Sequence, residues 1–259
     1  MSFQGKVALI TGASKGIGRA TVERLAADGA SVVINYLSDH ASAEELVASI
    51  GADRALAVQA DTSKLPDVER LVDEAVAKFG HIDLVMPNAG IMGMYDLAHT
   101  TEAAFDAHFA LNVKGPLFLV QKAAPHIPPG GRVVFVSTGL TTATGISPSY
   151  LLYVATKGAV EQIVRALSKE LGPKGITVNA VAPGPTGIEL FYRGKSEEML
   201  EAIRRQSPFG RFGEPEEIAA VVAFLAKEES RVRVLILRDD DTWRRTRCIV
   251  EPLNIGHRF

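Results

Sequence analysis

The sequence predicts an α/β protein built as a single doubly wound parallel sheet with helices on both faces. Three observations predict it. Apolar runs of strand length alternate with helix-period segments from residue 6 to about residue 226. Those runs are nearly continuous in Val, Ile, Leu and Ala, as strands buried on both faces must be. A glycine turn, Asp61, Asn88, Ser137 and Pro183 all fall at the C-terminal ends of the runs, the edge at which such sheets bind ligands.

Lys6 to Ile10 reads as a buried strand, and Gly16 to Asp28 as a helix that Gly29 stops just past its end. Ser31 to Asn35 is a second strand, and Ala43 to Ile50 a helix ended by Gly51. Ala55 to Ala60 is a third strand. Val68, Leu71, Val72, Ala75, Val76 and Phe79 then follow the i, i+3, i+4 rule through a helix closed by Gly80. Ile82 to Met86 is a fourth strand, and Thr101 to about Lys122 one long helix. Arg132 to Ser137 is a fifth strand. The helix after it buries Val160, Ile163, Val164, Leu167 and Leu171, and Ile176 to Ala182 is a sixth strand. No repeat or low-complexity linker interrupts the alternation, so residues 1–230 read as one domain.

Composition narrows the function. The chain has 259 residues, 47% hydrophobic and 22% charged, enough apolar material for one large α/β core. A net charge of -2 gives no support for a nucleic-acid or membrane-surface role. No apolar run is long enough to span a bilayer, and no signal peptide precedes the first strand. One cysteine excludes an internal disulfide framework and favours a reducing compartment, so a cytoplasmic location is expected. Six scattered histidines form no metal-ligand spacing.

The first strand leads into TGASKGIG, Thr11 to Gly18. Gly12, Gly16 and Gly18 allow a tight turn and close backbone approach to a pyrophosphate, and the helix N-terminus adds free N–H groups. Three glycines alone are weak evidence, since a bare strand-helix turn needs glycine too; the position at the chain start strengthens the reading. The candidate cradle is Gly12, Ser14, Lys15, Gly16, Ile17 and Gly18. The second strand ends in Asn35-Tyr36-Leu37-Ser38, with no acid before Asp39 to repel a 2′-phosphate, and Lys15 is a cation nearby. NADP is therefore expected, with NAD as the alternative.

Tyr153 and Lys157, four residues apart, share one helix face. An ammonium there can lower the phenol pKa and fit it for proton transfer. Moving a phenol from ~10 to ~7 takes roughly 4 kcal/mol, which one lysine and the positive oxidised nicotinamide could supply. The pair follows the fifth strand and its Ser137-Thr138 end, where a hydroxyl would hold a substrate oxygen.

In these motifs the chain resembles the short-chain dehydrogenase/reductase family, a Rossmann-type fold, nearest its 3-oxoacyl-[acyl-carrier-protein] reductase-like branch. The matching motifs are TGASKGIG, Asp61-Thr62, Asn88-Ala89-Gly90, Asn112-Val113, Tyr153-x3-Lys157 and Asn179-Ala180-Val181-Ala182-Pro183-Gly184, in family order. The resemblance implies that Tyr153 is the general acid/base and that Lys157 lowers its pKa and holds the nicotinamide ribose. It implies that Asn112 supports a water relaying protons to Lys157, and that Asp61, with Thr62, contacts the adenine side. Asn88, Ala89 and Gly90 would wall the cofactor, and Pro183, Gly184 and Thr186 would line the nicotinamide. A small-molecule carbonyl substrate is implied, and a homo-oligomer (dimer or tetramer) if the C-terminal segment allows it.

The sequence also departs from the family. The catalytic serine is usually second in the pair ending the fifth strand; here Thr138 takes that place and Ser137 precedes it, so Thr138 ranks ahead and both stay candidates. Ile188 replaces a threonine that often meets the nicotinamide amide. Residues 231–259 carry seven of the 17 arginines, no lysine, Trp243 and Cys248, and do not resemble the family's closing strand and glycine-rich segment. Val232 to Leu237 could form a strand before Asp239-Asp240-Asp241. The segment is either a lineage-specific tail or a shifted reading frame. Residues Ile91 to Met94, Leu140, Ser147 to Leu152 and Ile188 to Met199 should face substrate, with Phe191 to Lys195 as a lid. The expected activity is NADP(H)-dependent reduction of an apolar ketone or 3-oxoacyl compound. The alternatives are an NAD-dependent alcohol or sugar dehydrogenase and a nucleotide-binding protein impaired by its altered end.

Overall fold

A computed structural model describes residues 3–230 and the strand at 236–238. Strands β1 (Val7–Ile10), β2 (Ser31–Tyr36), β3 (Ala55–Gln59), β4 (Leu84–Met86), β5 (Arg132–Val136), β6 (Thr177–Ala182) and β7 (Ile236–Arg238) form one sheet in the order β3-β2-β1-β4-β5-β6-β7. Every pairing is parallel. The order reverses between β1 and β4, and a cleft opens there beyond the strand C-termini.

Alternate strand residues face opposite sides, and each side has its own apolar core. Leu9, Val33, Val85, Val133 and Phe135 pack beneath helices α3 (Leu65–Phe79), α5 (Gly115–Ala123) and α6 (Leu151–Leu171). Ala8, Ile10, Val32, Ile34, Val134 and Val181 pack beneath α1 (Gly16–Ala27), α2 (His40–Ile50) and α9 (Pro215–Ala226). Two further segments, α7 (Glu189–Tyr192) and α8 (Glu197–Gln206), lie beyond β6 on the cleft side.

Two expectations change. The single helix from Thr101 to Lys122 is α4 (Glu102–Phe109), a π-helical turn at Ala110–Lys114 and then α5. Gly115 N–H donates to Ala110 O across that turn, the i to i+5 bond that marks it. Its apolar period runs on unbroken, so nothing in the periodicity reveals the extra residue. The second change is at the sheet edge. A closing strand is present as Ile236–Arg238, paired with Ala180–Ala182, where the sequence offered Val232 to Leu237. It is shorter and later than Val232 to Leu237. Trp243, Cys248 and the rest of the C-terminal stretch lie outside the described residues.

Candidate active site

The cleft has a volume of about 1650 Å³. Its floor at one end is the glycine turn. Gly12 and Gly16 have φ of 60° and 57°, in the left-handed region that favours glycine. A Cβ on Gly18 would lie 2.5 Å from Gly12 O and 2.7 Å from Asn88 Nδ2. The turn is held from behind: Asn88 Nδ2 donates to Thr11 O (2.8 Å) and Gly12 O (3.1 Å). Thr11 Oγ1 accepts from the N–H groups of Asn88 and Ala89, both at 2.9 Å. Asn35, buried at the end of β2, accepts from Gly12 N–H at 3.3 Å and donates to Ala60 O at 3.0 Å. The N-terminus of α1 has no side-chain cap and no acid in its first turn. Its free N–H groups and positive dipole end face the cleft, the arrangement that accepts an anion.

Lys15 does not stand free in solvent. Its Nζ lies 2.6 Å from Glu189 Oε2, which ties the glycine turn to α7. Ile188 covers Gly16, with Cγ2 3.3 Å from where a Cβ on Gly16 would be. Lys15 and then Arg193 hold the Glu189 carboxyl below its usual pKa. Asp39 caps α2 by accepting from Ser42 N–H at 3.2 Å. Burial works to raise the Asp61 pKa, but the Ser63 hydroxyl and amide and the Lys64 ammonium hold it low. Sequence reasoning missed Arg19, which lines the cleft near Tyr36 and Ser38 and pairs with Glu23 (2.9 Å) and Glu45 (3.1 Å). Its place one helical turn after Lys15 was the available signal.

At the other end stand Tyr153 and Lys157. Tyr153 is half-buried on α6, with the Thr138 hydroxyl acting on its phenol. Burial pushes its pKa up to about 12, with Thr138 opposing that rise. Burial pushes Lys157 down to about 8. Lys157 by itself does not bring the phenol toward neutrality; the expected shift drew also on the positive charge of an oxidised nicotinamide. Lys157 Nζ lies 5.7 Å from the Tyr153 ring centroid and donates to Val136 O at 2.7 Å. The phenol is thus held protonated.

The two residues that follow β5 face different ways. Ser137 Oγ donates to Glu161 Oε1 at 2.9 Å, and Thr141 Oγ1 donates to the same oxygen at 2.6 Å. Thr138, one residue on, faces Tyr153. Asn112 sits in the π-helical turn with 1% exposure. Its Oδ1 accepts from Ile91 N–H (2.9 Å), and its Nδ2 donates to Ile91 O (2.9 Å) and Thr156 Oγ1 (3.1 Å).

Beyond β6, Gly139 N–H donates to Pro183 O, and Thr186 Oγ1 donates to Gly184 O, both at 3.0 Å. Most of the expected residues line the cleft, among them Ser14, Ile17, Asp61, Thr62, Ala89, Gly90, Pro183, Gly184 and Thr186. Gly18 and Asn112 stand behind its wall. In the segment after α7, Lys195 Nζ lies over Phe191 (4.6 Å) and Tyr150 (5.7 Å), and burial lowers its pKa.

Among the described residues there is no cluster able to hold a metal ion and no helix long and apolar enough to cross a membrane.

Comparison with known proteins agrees with this geometry. A family model described as enoyl-(acyl carrier protein) reductase matches residues 12–233. The chain is 41% identical to the short chain dehydrogenase/reductase AacuN of Aspergillus aculeatus, over 87% of this chain and 90% of that one. It is 40% identical to the hydroxynaphthalene reductase-like protein Arp2 of Metarhizium guizhouense, over 88% and 91%. A short chain dehydrogenase from Burkholderia cenocepacia, solved in complex with NADP, superposes with a TM-score of 0.86 at 36% identity, covering 93% of this chain and 98% of that one. The chain therefore belongs to the short-chain dehydrogenase/reductase family of oxidoreductases.

Proposed function

We propose that this oxidoreductase uses NADP(H) and works as a ketone reductase, with Tyr153 and Thr138 gripping the carbonyl oxygen. The observation that carries the reading is that Thr138 and the buried Tyr153 phenol line the same cleft, with burial keeping the phenol protonated. A protonated phenol is ready to give a proton to an oxygen that becomes an alkoxide.

The residues present fit a dinucleotide. The crowded Gly18 and the uncapped α1 N-terminus make an anion cradle, so Gly12, Ser14, Lys15, Gly16 and Ile17 would hold the phosphates. Asn35, Asp61 and Thr62 would meet the adenosine end. Asn88, Ala89 and Gly90 would form one wall, and Pro183, Gly184 and Thr186 the other. Lys15 and the lack of an acid before Asp39 favour the 2′-phosphate of NADP(H). The bound cofactor supplies the hydride for the carbonyl carbon.

In this scheme Tyr153 Oη donates its proton to the carbonyl oxygen, and the Thr138 hydroxyl steadies the charge that develops there. Lys157 would hold the ribose, and its ammonium would help return a proton to Tyr153. Asn112 shapes the wall through Ile91. Ser137 serves Glu161 instead. The substrate end is lined by Ile91, Met92, Leu140, Tyr150, Phe191 and Ile203, which suits an apolar ring ketone. That the Metarhizium relative is named for hydroxynaphthalene supports this class over an acyl chain. The oxidoreductase domain would cover residues 1–230 with the closing strand β7 added. A cytoplasmic location and a homo-oligomer complete the proposal, resting on composition and family.

The test follows NADPH absorbance across a ketone panel. Tyr153→Phe should lose about 10²- to 10⁴-fold in kcat and keep NADPH binding; unchanged turnover overturns the assignment. The pH profile should carry a limb set by Lys157. Its pKa is about 8, so the rate holds below that pH and falls above it as the ammonium is lost. The phenol, at about 12, stays protonated through that range. Lys157→Arg should remove the limb.

A further inference from the structure

The segment Ile91–Tyr95 enters the wall of the cleft at Ile91 and Met92 and is anchored at every second residue. Ile91 is held through both its N–H and its C=O by Asn112. Gly93 N–H donates to His108 Nε2 at 3.0 Å. Tyr95 N–H donates to Ser149 O at 2.7 Å, and Tyr95 forms a parallel bridge with Tyr150 at the start of α6. Both residues between the anchors are methionines. Met92 lines the cleft, and Met94 Sδ lies 3.7 Å from where a Cβ on Gly194 would be.

His108 is the anchor that the reaction scheme does not use. It is 3% exposed on α4, one turn before Asn112. Its Nδ1 lies 2.7 Å from Ala104 O, a carbonyl that only accepts, so Nδ1 carries the proton. Its Nε2 faces the Gly93 N–H and must accept. The ring is therefore neutral in the Nδ1–H tautomer, with both nitrogens satisfied. Tyr95 packs edge-on against it, with centroids 5.5 Å apart at 89°. Gly93 has no room for a side chain: a Cβ would fall 2.2 Å from the Tyr95 ring. His108, Gly93 and Tyr95 thus lock together and leave the methionines as the variable surface. Methionine adapts to irregular apolar shapes and makes favourable sulfur–aromatic contacts.

We propose that His108 is a positioning residue for substrate specificity, fixing the Met92–Met94 wall against bulky ketones through its bond to Gly93. The inference rests on the ketone-reductase reading above, but its first test does not. Hydrogen exchange of the segment 91–95 is compared in the unaltered protein, His108→Leu and His108→Gln. Leu keeps bulk without an acceptor, whereas the Gln carbonyl reaches the position of Nε2. Exchange at Gly93 should speed up at least about fivefold in His108→Leu, the effect of losing one buried bond, and stay near the original in His108→Gln. Equal protection in all three overturns the proposal, whatever the activity.

The second test is the KM for a bicyclic aryl ketone against that for a small aliphatic ketone. His108→Leu should raise the first about fivefold or more, leave the second, kcat and the NADPH Kd within about twofold, and be rescued in His108→Gln. An equal rise for both ketones, or equal impairment of both variants, overturns it. If Tyr153→Phe retains turnover, the reaction reading fails on its own, and the exchange result still decides the role of His108.

Discussion

The two ends of the cleft are built by opposite means. The glycine-turn end is made of backbone that its own neighbours hold: Asn88, Thr11 and Asn35 occupy the polar groups of the turn, and Gly18 leaves no free space. The proposed substrate end is made of apolar side chains, among them Met199, 40% exposed. It is held in place by anchors set back from the cleft. Rigid backbone suits an invariant ligand such as a dinucleotide. An adaptable apolar wall on fixed anchors suits a ligand that differs from one relative to the next.

The strongest way to break this contrast is Gly18→Ala. One methyl should cost about 1–3 kcal/mol of stability and weaken NADPH binding by more than about tenfold. Urea unfolding and fluorescence titration measure the two effects. Gly158→Ala is the control: it lies within α6 with open space around it and should gain up to about 1 kcal/mol. If Gly18→Ala is silent, the turn is not rigid.

A second comparison separates the two hydroxyls that follow β5. Thr138→Val should reduce kcat by about 10²-fold with little change in stability. Ser137→Ala breaks the bond to Glu161 and should cost about 1–3 kcal/mol in unfolding with kcat largely kept. The opposite pattern would exchange their roles.

The smallest effect belongs to the seam between the two ends. Glu189 pairs with Lys15 and, in the proposed complex, would compete with a phosphate for it. Glu189→Gln should tighten NADPH binding by less than about fivefold, and the gain should shrink with added salt. Lys15→Ala should weaken NADPH and leave NADH unchanged. Equal losses for both cofactors would remove Lys15 from the 2′-phosphate.

How much the sequence disclosed follows the same division. The six inner and near-edge strands and most helices were legible, because continuous apolar runs and 3.6-residue periods repeat from Lys6 to Ala226. The glycine turn and the Tyr153–Lys157 pair were legible because their chemistry is local. Strand β7 was obscured because it is three residues long inside an arginine-rich stretch. The direction of Ser137 and Thr138 depends on the strand pleat and on Glu161, 24 positions away from Ser137. The rise that burial imposes on the phenol pKa was not legible, because burial is a property of packing and spacing does not report it. His108 and Asn112 do leave a trace, since two polar residues four apart on an apolar helix face would point at one target. That trace becomes informative only once Gly93 and Ile91 are known to lie opposite.

The crowding at Gly18 bears on how such a turn can be moved between proteins. Its glycine is demanded by Gly12 O and by the Asn88 amide, both parts of this chain. Residues 11–18 grafted onto another strand-helix junction would carry the shape of the turn without the clamp 70 residues downstream that keeps Gly12 O in place. A graft that binds nucleotide would have to bring Asn88 and its strand end with it, so the transferable unit is β1, α1 and the end of β4, which adjoins β1 in the sheet but lies far from it in the chain.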